Sequence, residues 1–303
     1  MNLGYACINL SLDNCKPNRR TTAKYLKKLT PAEKRKKLNG LLKENLKNTL
    51  RILEFNLTHN IKLYRISSDI VPLATHNITN SWSYIEEGKE LLAKIGNFVK
   101  KHNLLVSMHP GQYTVLNSET NDVVQRAMED LEYHSNIFQA LGLDSKHKIV
   151  LHIGGVYGDK DSAIDRFQRN FTKLSTDVQE RLIIENDDKS YTASEVLAIA
   201  QELEIPMVFD LHHFNCNQKE EEELAELFPQ ILATWSETET PKIHFSSPRS
   251  EDKFRSHADY INSQAFDEFL SQAKDWTGKD FNVMLEAKKK DKALFKLREE
   301  LDY

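Results

Sequence analysis

The chain has 303 residues, 40% of them hydrophobic, and carries 41 Lys and Arg against 45 Asp and Glu for a net charge of −4. That length suits one large domain with a sizeable core. The charge argues against a uniformly basic coat for nucleic acid, and no run reaches the roughly 18 to 20 apolar residues of a membrane helix.

In chain order, short runs rich in Val, Ile and Leu predict eight strands. These are LGYACIN (3–9), LYRISSD (63–69), LLVSMHP (104–110), KIVLHIGG (148–155), RLIIEND (181–187), PMVFDLHH (206–213), KIHFSS (242–247) and FNVMLEAK (281–288). Between them run amphipathic stretches such as LLKENLKNTLRILEFNL, YIEEGKELLAKIGNFVKK and SQAFDEFLSQAKDW. Their apolar residues recur three and four apart, the stripe of a surface helix. The strands read as continuous apolar runs, as in a parallel sheet buried on both faces. Eight such units predict an α/β fold, a (β/α)8 TIM barrel with residues 1–303 forming a single domain. A doubly wound open sheet is the competitor, but neither GxGxxG nor Walker A is present to support it. Two long loops are expected, at about 10–40 and at 248–262. Cys7, Cys15 and Cys216 form no CxxC pair, and the opening segment lacks a basic n-region before its apolar run. A reduced cytoplasmic protein is therefore expected.

Charge is unevenly spread. Residues 1–60 hold 13 Lys and Arg against 4 Asp and Glu, leaving 28 against 41 in the rest. The cluster at Lys24, Lys27, Lys28, Lys34, Arg35, Lys36 and Lys37 suits a local phosphate-binding surface as well as a solvated basic segment.

A barrel carries its active site at the C-terminal ends of its strands. Those ends hold His109, His152, Glu185, Asp210, His212, His213, His244 and Glu286, with Lys242 on the seventh strand and His257 in the loop beyond. One histidine at such an end is an ordinary packing residue. Six of the eleven on one rim point to shared chemistry, whereas His59, His102, His134 and His147 fall in or beside helical stretches, where solvated or capping roles are expected. Imidazole with carboxylate suits zinc, manganese or iron, and the number of ligands implies at least two ions. Two nearby metals can clamp a phosphodiester. Sugar isomerases and epimerases use similar clusters, so the cluster leaves the substrate open.

The segments SMHPGQY, LHIGG, LIIEND, FDLHH, PKIHFSS, SHADYI and MLEAK, in this order, resemble the ultraviolet-damage endonucleases, relatives of endonuclease IV among xylose-isomerase-like barrels. The likeness runs from GYACIN to MLEAK, almost the whole chain. It implies an enzyme on double-stranded DNA carrying ultraviolet lesions, cutting 5′ to the lesion to leave a 3′-hydroxyl and a 5′-phosphate; nothing in the sequence suggests an obligate oligomer, so a monomer is expected. It also implies up to three divalent ions, manganese first, with zinc or magnesium as alternatives. By position, His109, His152 and Glu185 would serve one ion. Glu185, Asp210, His244 and Glu286 would serve a second, and His213 and His257 a third. Glu185, Glu286 and Lys242 are the expected catalytic residues. Lys242 stands where the endonuclease IV pattern has a carboxylate, so it is expected either as a carbamate or as an ammonium against DNA phosphate. Gln112 and Tyr113 resemble a pair that wedges into the duplex. Tyr5 and Asn9 resemble residues lining the damage pocket, and His76 joins them on the DNA side.

Overall fold

The computed structural model describes residues 1–301. All eight expected strands are present, in order: β1 Leu3–Ala6, β2 Leu63–Arg65, β3 Leu105–Ser107, β4 Ile149–His152, β5 Leu182–Glu185, β6 Met207–Val208, β7 Lys242–Phe245 and β8 Asn282–Leu285. Every pairing is parallel. Five strands form one sheet in the order β3-β2-β1-β8-β7, and β4-β5-β6 form another. Parallel bridges Met108–Ile149 and Asp210–His244 link their edges. The result is a TIM-barrel-like α/β fold.

Helices cover the outside. They are α1 Ala23–Leu26, α2 Pro31–Thr58, α3 Tyr84–Lys101, α4 Asn121–Ala140, α5 Lys160–Phe171, α6 Thr176–Arg181, α7 Ala193–Glu202, α8 Leu211–Cys216, α9 Leu224–Ala233, α10 Ser263–Thr277 and α11 Lys290–Glu300. Among the described residues, no helix is long and apolar enough to cross a membrane.

Strand parity decides which side chains face which layer, because alternate residues point to opposite faces. Tyr5, Tyr64, Leu151, Ile184 and Leu285 join the large cluster packed under the helices. Their neighbours face the interior instead: Ala6, Leu63 and Met284 pack together, as do Val150, Ile183 and Val208 with Trp235. Arg65, His152, Glu185, Asp210 and Glu286 share the parity of these interior residues. The same alternation that builds the core therefore aims the polar side chains at one another.

The expected loop at 10–40 is corrected. Helix α2 begins at Pro31, where Thr30 and Glu33 form a reciprocal capping box and the proline occupies the first turn. Lys34, Arg35, Lys36 and Lys37 thus sit on a helix rather than a loop, and Arg35 Nε donates to Glu87 on α3 at 2.8 Å. Close packing also fixes α3: a Cβ on Gly96 would lie 1.7 Å from the Leu141 carbonyl oxygen.

His134 and His147 are buried, not solvated. His147 Nδ1 lies 3.3 Å from the Val106 amide and 3.1 Å from its carbonyl. Burial brings its pKa from 6.5 down to about 4, outweighing the help of that backbone bond. Between these values the unfolded chain holds the extra proton, so stability rises with pH there and is lost as pH falls through about 4. The displacement corresponds to roughly 3 kcal/mol. Urea unfolding at pH 7 and pH 4 should show that loss, and His147→Phe should flatten the slope.

Candidate metal centre

Glu185 ends β5 with its side chain only 1% exposed, and four imidazoles surround it. His109 Nε2 lies 3.0 Å and His152 Nε2 3.6 Å from Oε2, while His244 Nδ1 lies 2.6 Å and His213 Nδ1 3.7 Å from Oε1. Glu286, following β8, lies 3.4 Å from His244 Nδ1 and 3.8 Å from His257 Nδ1. Three groups have ligand atoms within 4.8 Å of one another: His109–His152–Glu185, Glu185–Asp210–His213 and Glu185–His244–Glu286. Glu185 belongs to all three.

The grouping differs from the expected one at three residues, Asp210, His213 and His257. His213 joins Asp210 and Glu185 instead of His257, because Asp210 caps α8 and accepts from the His213 amide at 2.9 Å, fixing that ring over β5. His257 belongs to none of the groups and stands beside Glu286. Asn186 holds the geometry from below, exchanging two 2.9 Å hydrogen bonds with the Asp210 backbone.

The donor set fits divalent cations. Asp210 Oδ2 and His152 Nδ1 are buried without a hydrogen-bond partner. Glu286 and Glu185 face one guanidinium, Arg65, whose Nη2 lies 2.5 Å from Glu286 Oε1 and 2.8 Å from His244 Nε2. Burial pushes the Glu185 carboxyl up, yet His244 and His152 hold it well below the usual range. Glu286 is likewise lowered, by Arg65 and then His244 against its burial. Asp210 and Glu185 outweigh burial at His213 and raise it to about 9, so the pocket takes a proton where a cation would sit. Burial keeps His109 near 4 and hence neutral, the form that ligates.

Arg65 was not anticipated. Its only sequence signal is a charge inside a strand expected to be buried on both faces, which demands a counter-charge.

The other expected residues separate by exposure. Tyr113, beside Gln112 after β3, is 83% exposed, and His76 is an exposed loop residue whose Nδ1 accepts from Ile78 N–H at 3.0 Å. Tyr5 and Asn9 do not present a pocket surface. Both are buried, Asn9 Nδ2 donates to Tyr5 Oη at 2.9 Å, and Tyr5 donates to Asn56 Oδ1 at 2.6 Å. Lys242 starts β7 and is 5% exposed, one pleat below His244, so an ammonium there cannot meet DNA phosphate at the mouth. Burial lowers it to about 7. Six of the seven exposed large apolar side chains among the described residues follow C-terminal strand ends: Leu10, Tyr25, Tyr113, Tyr157, Phe254 and Tyr260.

A TIM-barrel-like fold with a histidine–carboxylate cluster at its mouth defines the class. The family model described as UV-endonuclease UvdE matches residues 1–303, and the chain belongs to that family of endonucleases of UV-damage repair. It is 44% identical over 302 residues to a UV DNA damage endonuclease of Bacillus cereus (strain G9842), covering 99% of this chain and 94% of that one. The crystal structure of SacUVDE superposes with a TM-score of 0.88 at 31% identity, covering 100% of this chain and 99% of that one. Endonuclease IV from Thermus thermophilus reaches 0.56 at 12% identity, covering 100% of this chain and 99% of that one. D-psicose 3-epimerase from Clostridium cellulolyticum reaches 0.52 at 11%, covering 97% and 90%. The last two likenesses concern fold alone, so the sugar epimerase alternative has only fold kinship behind it.

Proposed function

We propose that the protein cuts double-stranded DNA immediately 5′ to ultraviolet photoproducts. Pyrimidine dimers and 6-4 photoproducts are its main lesions, with abasic sites as further substrates, and hydrolysis leaves a 3′-hydroxyl and a 5′-phosphate. The observation that carries this reading is Glu185 shared among three histidine–carboxylate groups in a chain of the UV-endonuclease family. The ions are up to three, manganese first, with zinc or magnesium as substitutes. His109, His152, Asp210, His213, His244, Glu286 and the shared Glu185 would hold them, with His257 completing the rim. Bound there, such ions would polarise the scissile phosphodiester and offset the negative charge developing on its oxygens.

The chain's own residues divide the remaining work. Glu185 is enclosed and fixes the imidazoles. Glu286, whose side chain is 16% exposed, is the carboxylate that a water entering from the mouth meets, and it orients that water. Arg65 holds Glu286 in place. Lys242 acts as a positioning residue beneath His244. Gln112 and Tyr113 enter the duplex at the lesion, and Lys34, Lys36 and Lys37 meet phosphates, which makes binding fall with salt. We also read the two inter-sheet bridges as seams that close eight strands into a single catalytic domain, working as a cytoplasmic monomer.

Metal stoichiometry tests the centre. Equilibrium dialysis with manganese, followed by elemental analysis, should find more than one ion per chain. One ion or none contradicts a multinuclear site.

A further inference from the structure

The turn that carries Gln112 and Tyr113 has no apolar anchor of its own. Gly111, Gln112 and Tyr113 are all exposed, and a Cβ added at Gly111 would meet nothing within 4 Å. A polar segment without burial samples many conformations, and ordering it costs free energy when it binds. Yet this turn is closed by a 3.0 Å bond from the Thr114 amide to the Gly111 carbonyl, and both of its ends are tied to one helix, α4.

At the upstream end, Ser68 Oγ donates to the His109 carbonyl at 2.6 Å, and Tyr133 Oη donates to the Ser68 carbonyl at 2.9 Å. At the downstream end, Thr114 is buried and its Oγ1 donates to Asp130 Oδ2 at 2.6 Å. Asp130 and Tyr133 lie three apart on α4 and so share a face. Asp130 stands in the middle of a 20-residue helix, where a carboxylate gains nothing from the helix dipole. The one basic group paired with it among the described residues is His134, whose Nδ1 lies 3.8 Å away and already bonds the Asp130 carbonyl at 2.6 Å. The Thr114 hydroxyl is the partner left to the carboxylate.

We propose that Asp130 is a positioning residue for lesion choice: through Thr114 it holds the 109–114 turn in the shape in which Gln112 and Tyr113 enter the duplex. This rests on the wedge role proposed for that pair. A hydroxyl bonded to an ionised carboxylate makes a short, strong contact, so one such anchor beside the exposed tip fixes the tip without covering it. His109 begins the same turn and belongs to a ligand group, so the lesion probe and a metal ligand leave β3 on one braced segment.

The anchor can be read without DNA and its consequence with it. In the metal-loaded protein, chymotrypsin cleavage after Tyr113 reports opening of the turn, with cleavage after the exposed Tyr157 as control. Cleavage after Tyr113 alone should quicken about tenfold in Asp130→Ala and stay near the parent rate in Asp130→Asn, whose amide oxygen still accepts. Thr114→Val removes the same bond at near-constant size and covers the case in which Asp130→Ala does not fold. Incision of a dimer-carrying over an undamaged duplex, in competition, should fall about tenfold in Asp130→Ala and in Thr114→Val and recover in Asp130→Asn. It should fall no further when Asp130→Ala is added to Tyr113→Ala, because both act through one turn. Unchanged cleavage after Tyr113 in Asp130→Ala and Thr114→Val would overturn the anchor. Faster cleavage with an unchanged incision ratio, where Tyr113→Ala lowers that ratio, would overturn the positioning role alone. A Tyr113→Ala variant that keeps the parent ratio would instead bring down the wedge reading, and the role given to Asp130 with it.

Discussion

Glu185→Gln is expected to abolish incision while the protein stays folded. The substitution preserves size and replaces a carboxylate that is buried among His109, His152, His213 and His244. An amide cannot offer two anionic oxygens, and its NH2 would face imidazole nitrogens. Because Glu185 belongs to all three ligand groups, every one of them is weakened at once. Loss of a single electrostatic stabiliser costs about 10²–10³-fold in rate, so a residue common to three groups should cost more than about 10³-fold. Manganese uptake should fall in parallel. His213 should also lose part of its upward displacement, since Glu185 is, after Asp210 and before Glu286, one of the three carboxylates that raise it. Normal cutting and normal metal content in this variant would sink the assignment.

Gln112→Ala and Tyr113→Ala are expected to lose choice of lesion and keep the metal. Tyr113 is 83% exposed and belongs to none of the ligand groups, so its removal should change stability by less than about 0.5 kcal/mol. Stacking of one base on an aromatic ring contributes about 1–3 kcal/mol. The ratio of incision on damaged over undamaged duplex should therefore fall by roughly 5- to 150-fold. Competition between the two duplexes in one reaction measures that ratio directly. A variant that discriminates as well as the parent would remove the wedge from the account.

The strands were legible because a parallel strand covered on both faces needs uninterrupted apolar residues. Their ends were less so. His109, His213 and Glu286 belong to the expected runs, yet lie beyond the paired strands, and Asp210 is held there only by its isolated bridge to His244. The ladder stops as the chain turns its polar groups into the mouth. The start of α2 was missed because PAEKRKK offers no apolar period. Its signal lay in the Thr30–Glu33 cap and Pro31 instead. His134 and His147 read as helix or loop residues, and only tertiary packing buries them. The ligand types could be read from strand ends, but their partition could not. That His213 sides with Asp210 and leaves His257 to Glu286 depends on the turn into α8, not on spacing. Tyr5 and Asn9 show the reverse difficulty: the resemblance placed them at a pocket, while the hydrogen bond from Tyr5 to Asn56 that buries them comes from a helix residue 51 positions away. Lys242 was read as part of the mouth because it lies two residues from His244. A strand crosses one layer of the barrel in that distance, which puts the ammonium under the cluster.

The measurement that reaches the central claim most directly is incision of an end-labelled duplex carrying one cyclobutane pyrimidine dimer. It would be run with manganese, beside an undamaged duplex and a chelator control. A single cut just 5′ of the dimer, ending in a 3′-hydroxyl and lost with chelator, is the predicted result. Metal-loaded, folded protein that leaves the dimer duplex intact, or cuts both duplexes alike, would contradict it.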